Sequence, residues 1–211
     1  MKTRLFLTLL FVLPLTMISC SDDDDKLPPI VTQFVEARVD GQSIVYELLT
    51  DDGMRLKPTS DIKTDTPDTV YRCVCRYSEL EGGMCDVYEL KAVFSELPVP
   101  LPESMKMHTE PIGVKSVWKA PRYINLSLAL RTAGQGEHVF AFVEDSLKIS
   151  RDGRRTACFT LYHEVSGNDY QSYTQEFYFS MPIYQYIESR FDSVSLFVNT
   201  YDGKKQYGFR L

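Results

Sequence analysis

Apolar residues recur in short alternating runs, about eight to twelve residues apart, separated by clusters of Gly, Asp, Asn and Pro. Successive side chains of a strand point to opposite faces, so alternation makes one face apolar and the other polar. The run 123–131 shows it most plainly, with Ile124, Leu126, Leu128 and Leu130 on one face. Such runs cover most of the chain from residue 32 onward, and they predict an all-β protein. The only plausible helix is the short stretch 182–190.

The spacing of the runs divides the chain in two. Runs 32–39 and 43–50 flank Asp40-Gly41, a hairpin signal, and Asp51-Asp52-Gly53 turns into 54–57. After a polar loop, runs 70–79 and 85–96 form a longer hairpin around Glu81-Gly82-Gly83. These fit a small OB-like barrel over residues 30–96. Pro98, Pro100 and Pro102 follow, and because proline stiffens a chain and lacks a ladder donor, residues 97–110 read as an interdomain linker. Runs 113–118, 123–131, 137–143, 156–165, 173–181, 192–201 and 204–211 then predict an antiparallel β-sandwich over 111–211, closed by a hairpin at Tyr201-Asp202-Gly203-Lys204. Trp118 and most of the aromatics are expected to fill its core.

The N-terminus carries a different signal. Lys2 and Arg4 precede an apolar stretch, 5–18, shorter than the roughly 20 residues that span a bilayer. Ser19-Cys20 closes it: a small residue before a lone Cys is what a lipoprotein signal peptidase requires. Residues 1–19 therefore read as a signal peptide, and Cys20 as the lipidated first residue of a tether spanning 20–29. The run Ser21-Asp22-Asp23-Asp24-Asp25 resembles the export signal that routes lipoproteins of the Bacteroidota to the outer face of the outer membrane. Each acyl CH₂ buried in the bilayer contributes about 0.8 kcal/mol, so two or three chains anchor firmly.

Removing the first 19 of 211 residues leaves 192, and loss of Lys2 and Arg4 moves the net charge from −6 to −8. An acidic chain with no basic cluster argues against nucleic acid, whose binding depends on neutralising phosphates. Cys73 and Cys75 share a strand face with Tyr71 and Tyr77 and are expected to be buried, while Arg72 and Arg76 take the outer face. Cys85 falls on the opposite parity from Tyr88, Leu90, Ala92 and Phe94, so a Cys75–Cys85 bridge would need a bulge. With Cys158, parity favours free buried thiols over a disulfide framework. The three His are scattered and no Cys-x-x-Cys spacing occurs, which gives no metal site and no cofactor. His163 shares a face with Phe159 and Leu161 and reads as a core-edge residue. No Gly-x-Ser-x-Gly elbow is present, and nothing converges into a catalytic set.

Two stretches complete a recognisable layout: Asp51-Asp52-Gly53-Met54-Arg55-Leu56-Lys57-Pro58, and Val198-Asn199-Thr200-Tyr201-Asp202-Gly203-Lys204-Lys205-Gln206-Tyr207. With the lipoprotein signal and the acidic run, the chain resembles the NigD-like lipoproteins, which join an N-terminal OB domain to a C-terminal β-sandwich. The resemblance implies a bacteriocin-linked immunity or accessory role and no catalytic residues, hence a non-enzymatic surface lipoprotein binding a protein or peptide partner. A glycan-binding accessory lipoprotein is the alternative. Its candidate ligand residues are Tyr170 and Tyr173, in a polar loop where aromatic faces can stack on a sugar. Asp68-Thr69-Val70, Asp145-Ser146-Leu147 and Asp192-Ser193-Val194 match a bacterial O-glycosylation pattern, which makes Thr69, Ser146 and Ser193 candidate acceptors.

Overall fold

A computed structural model describes residues 28–134, 136–167 and 173–211. The lipidation site Cys20, the acidic run Ser21 to Asp25 and Tyr170 lie outside the described residues. Five strands come first: β1 (Ile30–Val39), β2 (Val45–Thr50), β3 (Arg55–Pro58), β4 (Val70–Leu80) and β5 (Met84–Ala92). They close into a barrel in the order β1-β2-β3-β5-β4, with β4 pairing back onto β1 and β3 running parallel to β5. That is the topology of an OB-like barrel. Asp40 sets the first turn, its carboxylate accepting from the N–H groups of Gln42 and Ile44 at 2.9 Å.

The barrel core holds Val35, Ala37, Leu48, Leu56 and Tyr77 together with Cys73, Cys75 and Cys85. Cys85 joins it because β5 carries the bulge that parity would require. Arg76 pairs with Glu89 and the next residue, Tyr77, with Val87, so Tyr88 is the extra residue. Side-chain parity flips there: Cys85 and Val87 turn inward, and Tyr88, expected on the apolar face, is exposed.

The second unit is a β-sandwich. One sheet has the order β13-β12-β10-β9-β6, the other β11-β8-β7. Their strands are β6 (Val99–Pro100), β7 (Gly113–Lys119), β8 (Tyr123–Thr132), β9 (Glu137–Ile149), β10 (Arg155–Ser166), β11 (Tyr173–Pro182), β12 (Ser193–Thr200) and β13 (Gly203–Arg210), with a single turn of helix, α1 (Tyr184–Glu188), between β11 and β12. Pairing is antiparallel except for β10 with β12 and β6 with β9. Ile124, Leu126, Leu128 and Leu130 face a core completed by Phe142, Phe159, Leu161, Met181, Val194 and Leu196. Trp118 is not in that core. It is 37% exposed and meets Phe34 of the barrel edge-on, ring centroids 5.5 Å apart. It occupies the outer face of β7, which the barrel covers only in part.

The proline-rich stretch turns at Pro102, whose carbonyl accepts from Met105 N–H at 2.9 Å, and parts of it dock. Val99–Pro100 adds an edge rung to β9. Further on, residues 108–112 wedge between β10 and β12 where those strands diverge. Glu110 N–H donates to His163 O and His163 N–H to His108 O, both at 3.0 Å, while Asn199 donates its side-chain amide to Thr109 O at 2.6 Å. Among the described residues no helix is long and apolar enough to cross a membrane.

All four described cysteines are free and buried. Burial pushes the thiols of Cys73 and Cys75 up to about 12 and that of Cys85 up to about 11. Since the thiolate is the reactive form, iodoacetamide at pH 8 should leave these three unmodified in the folded protein and alkylate them once it is unfolded in urea. Mass spectrometry of quenched samples reads the difference.

Candidate functional site

The outer, polar face of β8 abuts the barrel, and a buried cation stands at the centre of the junction. Arg72 on β4 has side-chain exposure of only 3%. Its Nη2 donates to both oxygens of Asp51 at 2.6 and 2.8 Å and to Asn125 Oδ1 at 3.3 Å; its Nε donates to Ser180 Oγ at 2.9 Å. Asn125 in turn donates to Asp51 at 3.0 Å and accepts from Ser180 at 2.6 Å. The guanidinium lies 3.9 Å from the centroid of Tyr123 and 5.2 Å from that of Phe34, so ring faces cover the buried Nη1, which has no hydrogen-bond partner. Arg72, expected on an outer, solvated face, is therefore the centre of the junction.

Two clefts flank it. The first, about 480 Å³, lies between the barrel wall (Val74, Arg76, Glu89, Lys91) and β11, and is continuous through Thr32 and Tyr178 with a hollow lined by Phe34 and Trp118. The second, about 540 Å³, is lined by Glu36, Arg38, Tyr46, Arg122, Tyr123 and Tyr184. Glu36 is buried there, accepting from Arg122 at 3.0 Å and from the phenol of Tyr123 at 2.8 Å. Burial, followed by its bond to Glu36, pushes the Tyr123 phenol well above its ordinary range. Arg122 also rests over Tyr184, 5.1 Å from the ring centroid.

The residues singled out in the sequence do not gather at these clefts. Tyr173 opens β11 and is exposed. Thr69 sits in the loop before β4. Ser146 lies at a bulge in β9, and Ser193 starts β12 with its hydroxyl bonded to Thr156 at 2.7 Å. The three His, scattered in sequence, converge around the wedge 108–112. His163 Nδ1 donates to Glu110 O at 2.8 Å, which leaves its Nε2 to accept from His138 Nδ1 at 3.0 Å. His108 faces the carboxylates of Glu110, at 3.4 Å, and Glu164, at 4.0 Å. Among the described residues no group of three His, Cys, Asp or Glu could hold a metal ion.

Two outcomes follow from this geometry. Arg72→Ala leaves Asp51, Asn125 and Ser180 without their shared donor and should cost about 2–4 kcal/mol in urea unfolding. Arg72→Lys should recover less than half of that, because an ammonium cannot span Asp51 and Ser180 together. For His163, burial first and the neighbouring His138 second hold the imidazole below its ordinary 6.5. The unfolded chain thus binds the proton first as acid is added. Stability should be level above about pH 6.5 and fall below it, and the fall should be shallower in His163→Gln in urea titrations at pH 7 and pH 5.

A family model for the NigD-like C-terminal beta sandwich domain matches residues 98–211. Among solved structures, a NigD-like immunity protein from Bacteroides caccae is 22% identical with a TM-score of 0.69, covering 87% of this chain and 98% of its own. A predicted toxin-related protein from Parabacteroides distasonis is 16% identical at 0.69, covering 87% and 93%. A predicted lipoprotein from Bacteroides fragilis is 13% identical at 0.63, covering 87% and 98%. No functionally curated protein matches the chain. At these identities the solved structures establish the fold, and the family match, which starts just before β6 and runs to the last residue, establishes that the chain belongs to the NigD-like family.

Proposed function

We propose that this is a non-enzymatic lipoprotein of the outer-membrane surface, anchored through Cys20 and exported by Ser21 to Asp25, that binds a protein or peptide partner in a bacteriocin-linked immunity or accessory role. The NigD-like family is not a known enzyme class. The observation that carries the reading is the first cleft. Trp118 is the one tryptophan of the chain, and it stands outside the core with Phe34 and Tyr178 beside it in the wall of an open hollow. Part-exposed aromatics in a hollow with a polar rim are the usual anchors of protein recognition. The shared fold of the Bacteroides caccae immunity protein supports a protein partner.

A deletion strain should gain sensitivity to a bacteriocin made by neighbouring strains. Wild-type protein should restore resistance; Trp118→Ala, which removes the anchor, should not, and Cys20→Ser should shift the protein out of the membrane fraction. Unchanged sensitivity, together with no partner cross-linked to a photoreactive residue at position 118, would end the reading.

The second cleft favours a glycan ligand as the rival. Exposed Tyr46 and half-buried Tyr184 border the Glu36–Arg122 pair, an aromatic-plus-polar lining suited to a sugar face. A glycan array probed with the lipoprotein, with binding lost in Tyr46→Ala, would favour it over the first reading.

A further inference from the structure

Among the described residues four strands lie at sheet edges: β6, β7, β11 and β13. Exposed edges pair readily with foreign chains, and proteins guard them with lysine, proline, bulges or extreme shortness. β6 is two residues long and ends in Pro100. β7 carries Lys115 and Lys119 and a register shift at Val114/Ser116. β13 carries Lys204, Lys205 and Arg210. β11 has none of these guards. It contains no Lys or Arg, reaches proline only at its last residue, and holds an unbroken register with β8 over ten residues.

Its outer edge faces the first cleft. Gln175, Glu176, Phe177, Tyr178 and Phe179 all line that cleft, and consecutive residues of both parities can do so only if the strand presents its edge. The chain itself begins to pair there. Phe94, just beyond β5, makes a parallel bridge to Phe179, and Ser180 N–H donates to Phe94 O at 2.9 Å. The chain between β5 and Phe94 then diverges from β11 and leaves a notch. Because Ser180 points its N–H outward, the two-residue period aims the N–H of Tyr178 and both backbone groups of Glu176 the same way, while the Phe94–Phe179 bridge engages the Tyr178 carbonyl. Among the described residues no backbone group pairs with Glu176 on that side.

We propose that this edge takes an extended peptide segment of the partner as an added strand, continuing the β11-β8-β7 sheet through the rung that Phe94 starts. The inference rests on the reading of the first cleft as the partner site and names how the partner binds. The notch is recessed between barrel and sandwich, so it admits a single extended chain and not the edge of a second folded copy. One row of the peptide's side chains meets Phe94 and Phe177; the other faces the barrel wall, where Arg76 pairs with Glu89 at 3.9 Å and Lys91 supplies the remaining positive charge. The fitting sequence therefore alternates apolar and acidic residues.

The test pans the full chain, in detergent micelles, against a displayed library of random octapeptides. Enriched peptides should alternate apolar and acidic residues and should protect the Glu176 amide from hydrogen exchange. N-methylation at alternate peptide positions should weaken binding about tenfold, with little effect at the intervening ones. Glu176→Pro removes the outward N–H and should abolish binding. Glu176→Ala removes the side-chain contacts with Lys115 and Ser127 but keeps the N–H, and should bind at least about tenfold more tightly than Glu176→Pro. Peptides that bind with no parity in the methylation scan and no protection of Glu176 would overturn strand addition and leave the cleft reading standing. Protection of Glu176 that grows with protein concentration alone would assign the edge to a second copy and overturn the peptide. No enrichment would overturn strand addition and weaken the partner reading with it.

Discussion

The guanidinium of Arg72 is held by the barrel on one side and the sandwich on the other. A cation so buried is tolerated only with a carboxylate and further acceptors in reach, and the chain gathers these from four places: the turn after β2 gives Asp51, β8 gives Asn125, β11 gives Ser180, and the rings of Phe34 and Tyr123 cover the rest. Each partner is also tied to another, so none moves alone. This set, with the bonds from Arg122 and Tyr123 to Glu36 beside it, holds the barrel against the sandwich, and the walls of both clefts follow from that orientation. Burying the pair adds little net stability, because desolvation offsets most of the attraction; its effect is to penalise every other docking angle.

Much of the strand layout was legible because alternation survives in single strands. Ile124, Leu126, Leu128 and Leu130 named their own face. What alternation does not tell is whether the opposite face is also covered. Asn125 and Ser127 look like the wet side of β8, yet both are buried: Asn125 is bonded to Arg72 and Asp51 of the barrel, and Ser127 donates to Glu176 of the neighbouring strand. Arg72 departs from its expected place for the same reason: a polar residue of outward parity on β4 is solvated unless another unit packs there. Trp118 is the converse case, an apolar residue at a junction that is only half closed.

Two further features escaped because they depend on contacts distant in sequence. The bulge at Tyr88 has no glycine or proline to announce it, and it reverses the parity from which the Cys85 environment was judged. The histidines at 108, 138 and 163 meet because β9 and β10 pair and the proline-rich stretch returns to them. The docking of that stretch was not readable from its prolines, since the groups that receive it belong to β9, β10 and β12.

The wedge formed by 108–112 bears on how the molecule assembles. It supplies hydrogen-bond partners to His163 and Asn199, the latter ninety residues further along the chain from Thr109. The parallel β10–β12 ladder cannot be completed by its own strands, because they part where the wedge enters. Closing it means joining segments separated by most of the domain, and loop entropy disfavours such contacts until the local hairpins have formed. Loop entropy therefore favours forming the β9–β10 and β12–β13 hairpins before the segment leaving the barrel is seated.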